Sequence, residues 1–163
     1  MKKFISFFVC IILVFSICAF DINALYDENT NLRVVDFTVT QGTYFDVTKD
    51  AETRATGLIN AYGLSLSKTG TTLNLSGQTY GSTEVVKSGF KDLTVQRRKT
   101  SDDAWKDYYE FGNVYIDGFA AVLSTTLVVE SGYQYRISCK HYAKKNILSV
   151  QTIANTSGIV TVS

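Results

Sequence analysis

The sequence contains no proline, one histidine and one tryptophan among its 163 residues. Without proline, the edges of any β-sheet must be protected by charge, by glycine or by a partner. Because His141 is the only histidine, a metal site that used it would need carboxylates or Cys139 as further ligands. Glycine-rich phosphate-binding loops are also missing. The pattern predicts no cofactor, no metal site and no catalytic set.

The N-terminus has the composition of a secretory signal peptide. Two lysines precede an apolar run at residues 4–20 that only serine interrupts, and small and polar residues follow. This order predicts that residues 1–24 are a cleaved signal peptide and that the mature protein is secreted. The bond after Ala24 fits the cleavage pattern better than the bond after Ala19.

Two other interpretations of this segment remain open. The apolar run approaches the roughly 17 to 25 residues that span a bilayer, so it is also compatible with a membrane anchor. Cys18 would be the site of a lipid anchor, although the bulky Ile17 precedes it. With a cleaved signal peptide, membrane contact is expected only through that peptide.

Cysteine is scarce once the signal peptide is removed. Only Cys139 remains, so no intramolecular disulfide is possible in the mature chain. We expect Cys139 to act as a small apolar side chain in the core. Cys139 and His141 share one strand face, but side chains two apart on a strand lie roughly 6 to 7 Å apart, too far for a base to activate a thiol.

No excess of charge of either sign is present. From residue 25 onward the chain has 14 basic and 14 acidic residues, although residues 25–59 are acidic and residues 60–163 are slightly basic. This balance argues against a nucleic-acid partner. The carboxylates of residues 102–110 match no established calcium loop, and we expect them to be solvated.

The abundant residues favour β structure. Aromatic residues make up 13% of the chain, and short alternating segments are separated by Gly, Ser, Asn and Thr clusters. We therefore predict an all-β protein with an antiparallel β-sandwich of about seven strands at residues 60–163. Residues 25–59 are expected to be a partly ordered leader with one possible strand at 32–40, or to add an edge strand. The other predicted strands are 61–67, 72–80, 90–98, 105–111 with a fragment at 114–116, 123–130, 132–143, 146–153 and 158–162.

The segment at residues 132–143 is the expected central strand. Tyr133, Tyr135, Ile137 and Cys139 fall on one side of its alternating pattern, which predicts one buried face. This segment resembles the F strand of fibronectin type III and other immunoglobulin-like domains. The resemblance implies that Tyr133 is a corner tyrosine bonded to the turn at 129–132. It also implies that Trp105 opens the strand after 90–98.

A closer resemblance connects the chain to a group of uncharacterised secreted proteins from clostridia and related Gram-positive bacteria. It rests on the signal peptide, on YGLSLS, TLNLSG and LTVQRR, on the lone Trp105 and on YRISCKHYA. The resemblance implies an extracellular location and the same sandwich. It brings no known activity.

Basic residues form two groups, at 97–99 and at 140–145, which an antiparallel arrangement of their strands would place at opposite ends. The second group is expected in a loop, where immunoglobulin-like domains commonly bind partners. The predicted binding loop consists of Tyr142, Lys144, Lys145 and Asn146.

These features predict a non-enzymatic extracellular or cell-surface binding module for an unknown protein or glycan. The alternatives are a secreted antagonist, bacteriocin-like or membrane-active, and a hydrolase with an unusual site.

Overall fold

A computed structural model describes residues 26–27, 32–41 and 57–163, and in these ranges it contains ten β-strands and no helix. The strands are β1 (Tyr26–Asp27), β2 (Leu32–Gln41), β3 (Ile59–Thr69), β4 (Thr72–Gly81), β5 (Lys87–Arg98), β6 (Lys106–Asp117), β7 (Ala120–Val128), β8 (Tyr133–Asn146), β9 (Ser149–Thr156) and β10 (Val160–Val162). The predicted signal peptide lies outside the described residues.

The strands form two sheets that pack as an immunoglobulin-like β-sandwich. The first sheet has the order β1-β2-β7-β4-β3, and the second has the order β10-β8-β5-β6 with β9 also paired to β8. Each of these pairs is antiparallel. The predicted fold class is confirmed. Eight strands rather than about seven lie at residues 59–163. The strand predicted at 32–40 is β2, which joins the first sheet beside β7 and also pairs with the very short β1.

Two predicted boundaries were wrong because strand pairing continues through glycine. The segments predicted at 105–111 and 114–116 belong to one strand, β6, which begins at Lys106, directly after Trp105, and in which Gly112 takes a left-handed φ of 74° opposite Leu93. A glycine tolerates this conformation, so a β-bulge replaces the expected break. The strand predicted at 90–98 is longer than expected, because β5 already begins at Lys87.

Strand β8 lies at the centre of the second sheet. One of its edges pairs with β5, while the other pairs first with β10 and then with β9. Tyr135, Ile137 and Cys139 are buried, as predicted, and Tyr133 is half-buried. The buried face continues through His141 and Ala143. The alternating pattern of residues 132–143 therefore reports the real inward face of this strand.

The core forms where the inward faces of the two sheets meet. Burying one leucine, isoleucine or phenylalanine side chain contributes about 1.5–3 kcal/mol, so a dozen such residues dominate the stability of the sandwich. The second sheet contributes β5 and β8 residues, and the first contributes β4 and β7 residues. The fully buried apolar side chains of these strands include Leu73, Leu75, Phe90, Leu93, Val95, Leu123, Leu127, Tyr135 and Ile137.

The corner tyrosine is Tyr135, and its assignment to Tyr133 was wrong. The Tyr135 hydroxyl donates to the Glu130 carbonyl oxygen at 2.8 Å, in the turn that precedes β8. Tyr135 makes this bond because it is the fully buried tyrosine of the pair, and a buried hydroxyl needs a partner. Tyr133 is half-buried and lies under the Arg97 guanidinium, 4.5 Å from its ring centroid.

Candidate binding site

The β8–β9 hairpin turns at Ile147 and Leu148. Asn146 pairs with Ser149 across the hairpin, and the Leu148 N–H donates to the Asn146 side-chain oxygen at 2.9 Å. An asparagine side chain that bonds two residues ahead stabilises a tight turn. Asn146, a predicted ligand-binding residue, is therefore a turn-forming residue in the structure.

The predicted binding loop is largely strand. Lys144 pairs with Lys87 of β5 on one side and with Val150 of β9 on the other, and β8 continues to Asn146. The placement of residues 144–146 in a loop was wrong because Lys144 is paired on both edges and the pairing with β9 continues to Asn146. The true turn is two residues long and contains no charge.

Five exposed apolar residues lie in this turn and in chain segments at the same end of the sandwich, and we call them the apolar tip. Ile147 is 86% exposed and Leu148 is 97% exposed. The Val86 N–H donates to the Lys144 carbonyl oxygen, and the Gly118 N–H donates to the Val86 carbonyl oxygen, both at 2.8 Å. These bonds place the β4–β5 connection beside the end of β8, and the β6–β7 connection beside the β4–β5 connection. The apolar tip consists of Val86, Phe119, Ile147, Leu148 and Val150.

Charged side chains surround the apolar tip. Lys145 pairs with Glu84 at 2.7 Å, and Lys87 pairs with Asp117 at 3.5 Å. Both ion pairs are on the surface, where such pairs contribute about 0–1 kcal/mol to stability. Lys144 is half-buried beside them. Three lysines and two carboxylates therefore lie around the apolar tip. Because their ion pairs are weak, these side chains can break them to contact a ligand at little energetic cost.

Tyr142 does not belong to the apolar tip. Its ring packs against the ring of Tyr115, with 4.6 Å between centroids. Gly89 lies between these two residues, paired with both of them. A Cβ at Gly89 would overlap the Val114 carbonyl oxygen and lie 2.8 Å from the Tyr115 Cα. Tyr142 therefore covers a glycine in the neighbouring strand, which is a structural role.

The sequence signal for the apolar tip was present but was assigned to a strand. Residues 146–153, NILSVQTI, were predicted as one strand because of their apolar content. Two large apolar residues directly after an asparagine, at the end of a lysine-rich strand, are the signal that could have identified an exposed turn. Val86 and Phe119 come near the turn only through pairing between distant strands, so no local sequence pattern could have assigned them to the apolar tip.

A hydrogen-bonded histidine lies in the core beneath this end of the sandwich. The His141 side chain, on the same strand face as Cys139, is completely buried. Its Nδ1 lies 2.8 Å from the Thr79 hydroxyl, which donates to the Gly89 carbonyl oxygen at 3.0 Å. Since that hydroxyl has one proton, Nδ1 must be the donor in its bond to Thr79.

The second imidazole nitrogen is an acceptor. The Asn155 side-chain NH₂ lies 3.4 Å from His141 Nε2, and the Asn155 oxygen accepts from the Thr156 N–H at 2.7 Å. That bond orients the amide so that its NH₂ faces the ring. A neutral imidazole satisfies both contacts, whereas an imidazolium would place two donors face to face. Burial lowers the pKa of His141 to about 4.

The remaining candidate chemistry is accounted for by local contacts. Burial raises the pKa of the Cys139 thiol to about 12, so the thiolate that would act as nucleophile or metal ligand is disfavoured at neutral pH. Asp103 accepts from the Thr100 N–H and hydroxyl, and Asp107 accepts from the Gln96 amide. Within the described ranges, no group of three or more His, Cys, Asp or Glu residues could hold a metal ion.

The described residues include no helix that is long and apolar enough to cross a membrane.

Two identical substitutions should have opposite effects on stability. Thr79→Val removes both bonds of a buried hydroxyl and leaves His141 Nδ1 without its partner, so the free energy of unfolding should fall by about 1–3 kcal/mol. Thr125 is equally buried, but its hydroxyl has no partner in the described part of the chain. Thr125→Val should be neutral or stabilising. Urea denaturation of both variants measures the difference, and equal losses would contradict the network.

The histidine also predicts a pH dependence. Its folded pKa is about 4 and its ordinary value is 6.5, so between these values the unfolded chain binds the proton more readily. Stability from this group is complete above pH 6.5 and declines as the pH falls towards 4, by about 3 kcal/mol in total. An NMR titration of the single histidine gives the folded pKa directly. A value near 6.5 would show that the ring is not held neutral.

Comparison of the chain with protein-family models, curated proteins and solved structures finds no match.

Proposed function

We propose that this protein is a secreted, non-enzymatic binding module that contacts an extracellular protein or glycan through the apolar tip. The observation that supports this proposal is the nearly complete exposure of Ile147 and Leu148 at the end of an ordered hairpin. Large apolar side chains that cluster on a surface are typical of interaction sites.

The tip contributes little to the fold and much to a possible interface. A side chain that is 97% exposed, as in Leu148, buries almost nothing on folding. On contact with a partner, each of the two turn residues could contribute about 1.5–3 kcal/mol from burial. Burial against a partner is therefore the interaction that best explains why these two apolar side chains are exposed.

The hairpin is also preorganised for binding. The Asn146 side chain orders the turn, and β5 and β9 hold the end of β8 on both edges. A rigid contact loop loses little conformational entropy on association, which favours affinity. Lys144 and Lys145 stand next to the turn and can contribute to the polar rim of an interface.

The alternative function is a membrane-active antagonist, and the same surface supports it. Exposed isoleucine and leucine beside lysines are the combination with which peripheral segments enter anionic membranes. A protein or glycan ligand is favoured because only two turn residues project fully, which is a small area for stable insertion into lipid.

Substitution of the two turn residues should weaken binding without affecting the fold. Mature protein is tested against a glycan array, a panel of extracellular proteins and phosphatidylglycerol vesicles. The double variant Ile147→Ser, Leu148→Ser should bind its protein or glycan probe at least about tenfold more weakly, because each lost apolar contact is worth about a factor of ten or more. Lys144→Ala, Lys145→Ala should weaken the same binding to a smaller extent.

Ile159→Ser is the matched control, since Ile159 is exposed and lies before β10, far from the turn. It should leave binding unchanged, and all variants should keep the wild-type midpoint of urea denaturation. Binding that survives the double variant would refute the tip as the contact surface. Vesicle leakage that depends on Ile147 and Leu148 would instead establish the membrane-active alternative.

A further inference from the structure

Two arginines contact the single tryptophan on the outer face of the second sheet. The guanidinium carbon of Arg98 lies 4.5 Å from the centroid of the Trp105 ring, and that of Arg136 lies 4.3 Å from it. Arg98 is at the end of β5, Arg136 is on β8, and Trp105 immediately precedes β6. We call Arg98 and Arg136 the arginine pair. Their guanidinium carbons can be no farther apart than the sum of these two distances.

Neutral oxygens hold the arginine pair in place. Arg98 Nε donates to the Gln134 side-chain oxygen, and a terminal nitrogen of Arg98 donates to the Ser101 carbonyl oxygen, both at 2.8 Å. Arg136 Nε donates to the Gln96 side-chain oxygen at 2.8 Å. These bonds and the indole ring orient both guanidinium groups without neutralising either one.

This arrangement differs from that of neighbouring cations on the same sheet. Arg97 is paired with Glu130 at 2.8 Å, and Lys140 is paired with Asp92 at 2.9 Å. Among the described residues, neither member of the arginine pair forms an ion pair with a carboxylate. Burial and the nearby charge of Arg98 lower the pKa of Arg136. The fold thus holds two like charges against one indole ring without a direct ion pair to either, and Asp107 reaches Arg136 only through the Gln96 amide.

The arginine pair is distant from the apolar tip. Arg98 pairs with Gln134 near the start of β8, whereas Lys87 pairs with Lys144 near its end. At about 3.3 Å per residue, the turn beyond Asn146 lies roughly 40 Å away along the strand. Any ligand of the arginine pair therefore uses a second site, and its binding can be tested separately from that of the tip.

We propose that the arginine pair and Trp105 bind a sulfate or phosphate ester group of an anionic polysaccharide. A planar guanidinium presents paired N–H donors that match the oxygens of such groups, and a bound anion would relieve the repulsion between the two arginines. The NH₂ group of Gln134, whose oxygen holds Arg98, offers a hydrogen bond to a sugar hydroxyl, whereas the Gln96 amide is already engaged by Arg136 and Asp107. The near-zero net charge of the chain disfavours a long nucleic acid, so a ligand with spaced anionic groups fits better.

The single tryptophan provides a direct readout, because any ligand of the arginine pair must alter the surroundings of Trp105. Mature protein is titrated with dextran sulfate, phosphorylated dextran, neutral dextran, inorganic sulfate and inorganic phosphate while tryptophan emission is recorded. One or both anionic dextrans should change the tryptophan emission in a saturable way. Comparing the affinities of the sulfated and the phosphorylated dextran shows which ester group is bound. Neutral dextran should have no effect, and the inorganic ions should act only at much higher concentration.

Variants separate a built site from general attraction to positive charge. Arg98→Gln, Arg136→Gln should bind the anionic dextran at least about tenfold more weakly, since charged hydrogen bonds are lost. Arg98→Lys, Arg136→Lys keeps the charge but should also bind more weakly, because lysine lacks the planar fork. Lys144→Gln, Lys145→Gln removes two charges at the opposite end and should bind like the wild type.

Three results would overturn the proposal. The first is equal affinity of the wild type and the Arg98→Gln, Arg136→Gln variant, with urea denaturation confirming that both are folded. The second is equally strong binding of double-stranded DNA, which would show a general polyanion surface. The third is an effect of the inorganic ions with none from either anionic dextran, which would indicate an adventitious ion only. None of these results bears on the apolar tip.

Discussion

The sandwich depends on the pairing of β8 along both of its edges while one of its faces is buried. Pairing with β5 on one side and with β10 and β9 on the other leaves no main-chain edge of β8 for another chain. The buried face then sets the register, because a slip of one residue would move Tyr135, Ile137 and Cys139 to the outer face. The register of β8 in turn determines where β5, β9 and β10 pair with it in the second sheet.

A polar group inside the core adds specificity to this apolar arrangement. His141 continues the inward face of β8 and bonds to Thr79 of β4, so it connects the two sheets. The same strand also separates the apolar tip from the arginine pair. Its end carries the hairpin with the apolar tip, and its beginning lies beside the arginine pair. Under the two proposals made above, this strand connects two distant contact surfaces, one near each of its ends.

Local patterns predicted the fold well and the sites poorly. The alternation of residues 132–143 identifies the central strand because burial on one face of a strand has a period of two residues. The same alternation puts His141 on the buried face, but its hydrogen-bond partner could not be predicted, since Thr79 is 62 residues away. The apolar residues Ile147 and Leu148 resemble strand residues until pairing shows the turn. The contact of Trp105 with Arg98 and Arg136 likewise exists only through the register of β5 and β8.

Hydrogen exchange of backbone amides most directly tests the claim that β8 is a rigid central strand up to its last residues. The account predicts that β5-paired and β9-paired amides of β8, including those near Lys144, exchange only through global unfolding, while Ile147 exchanges rapidly. Rapid exchange throughout residues 142–148 would contradict it. That result would show that this segment is a mobile loop and that the apolar tip is not held in a defined position.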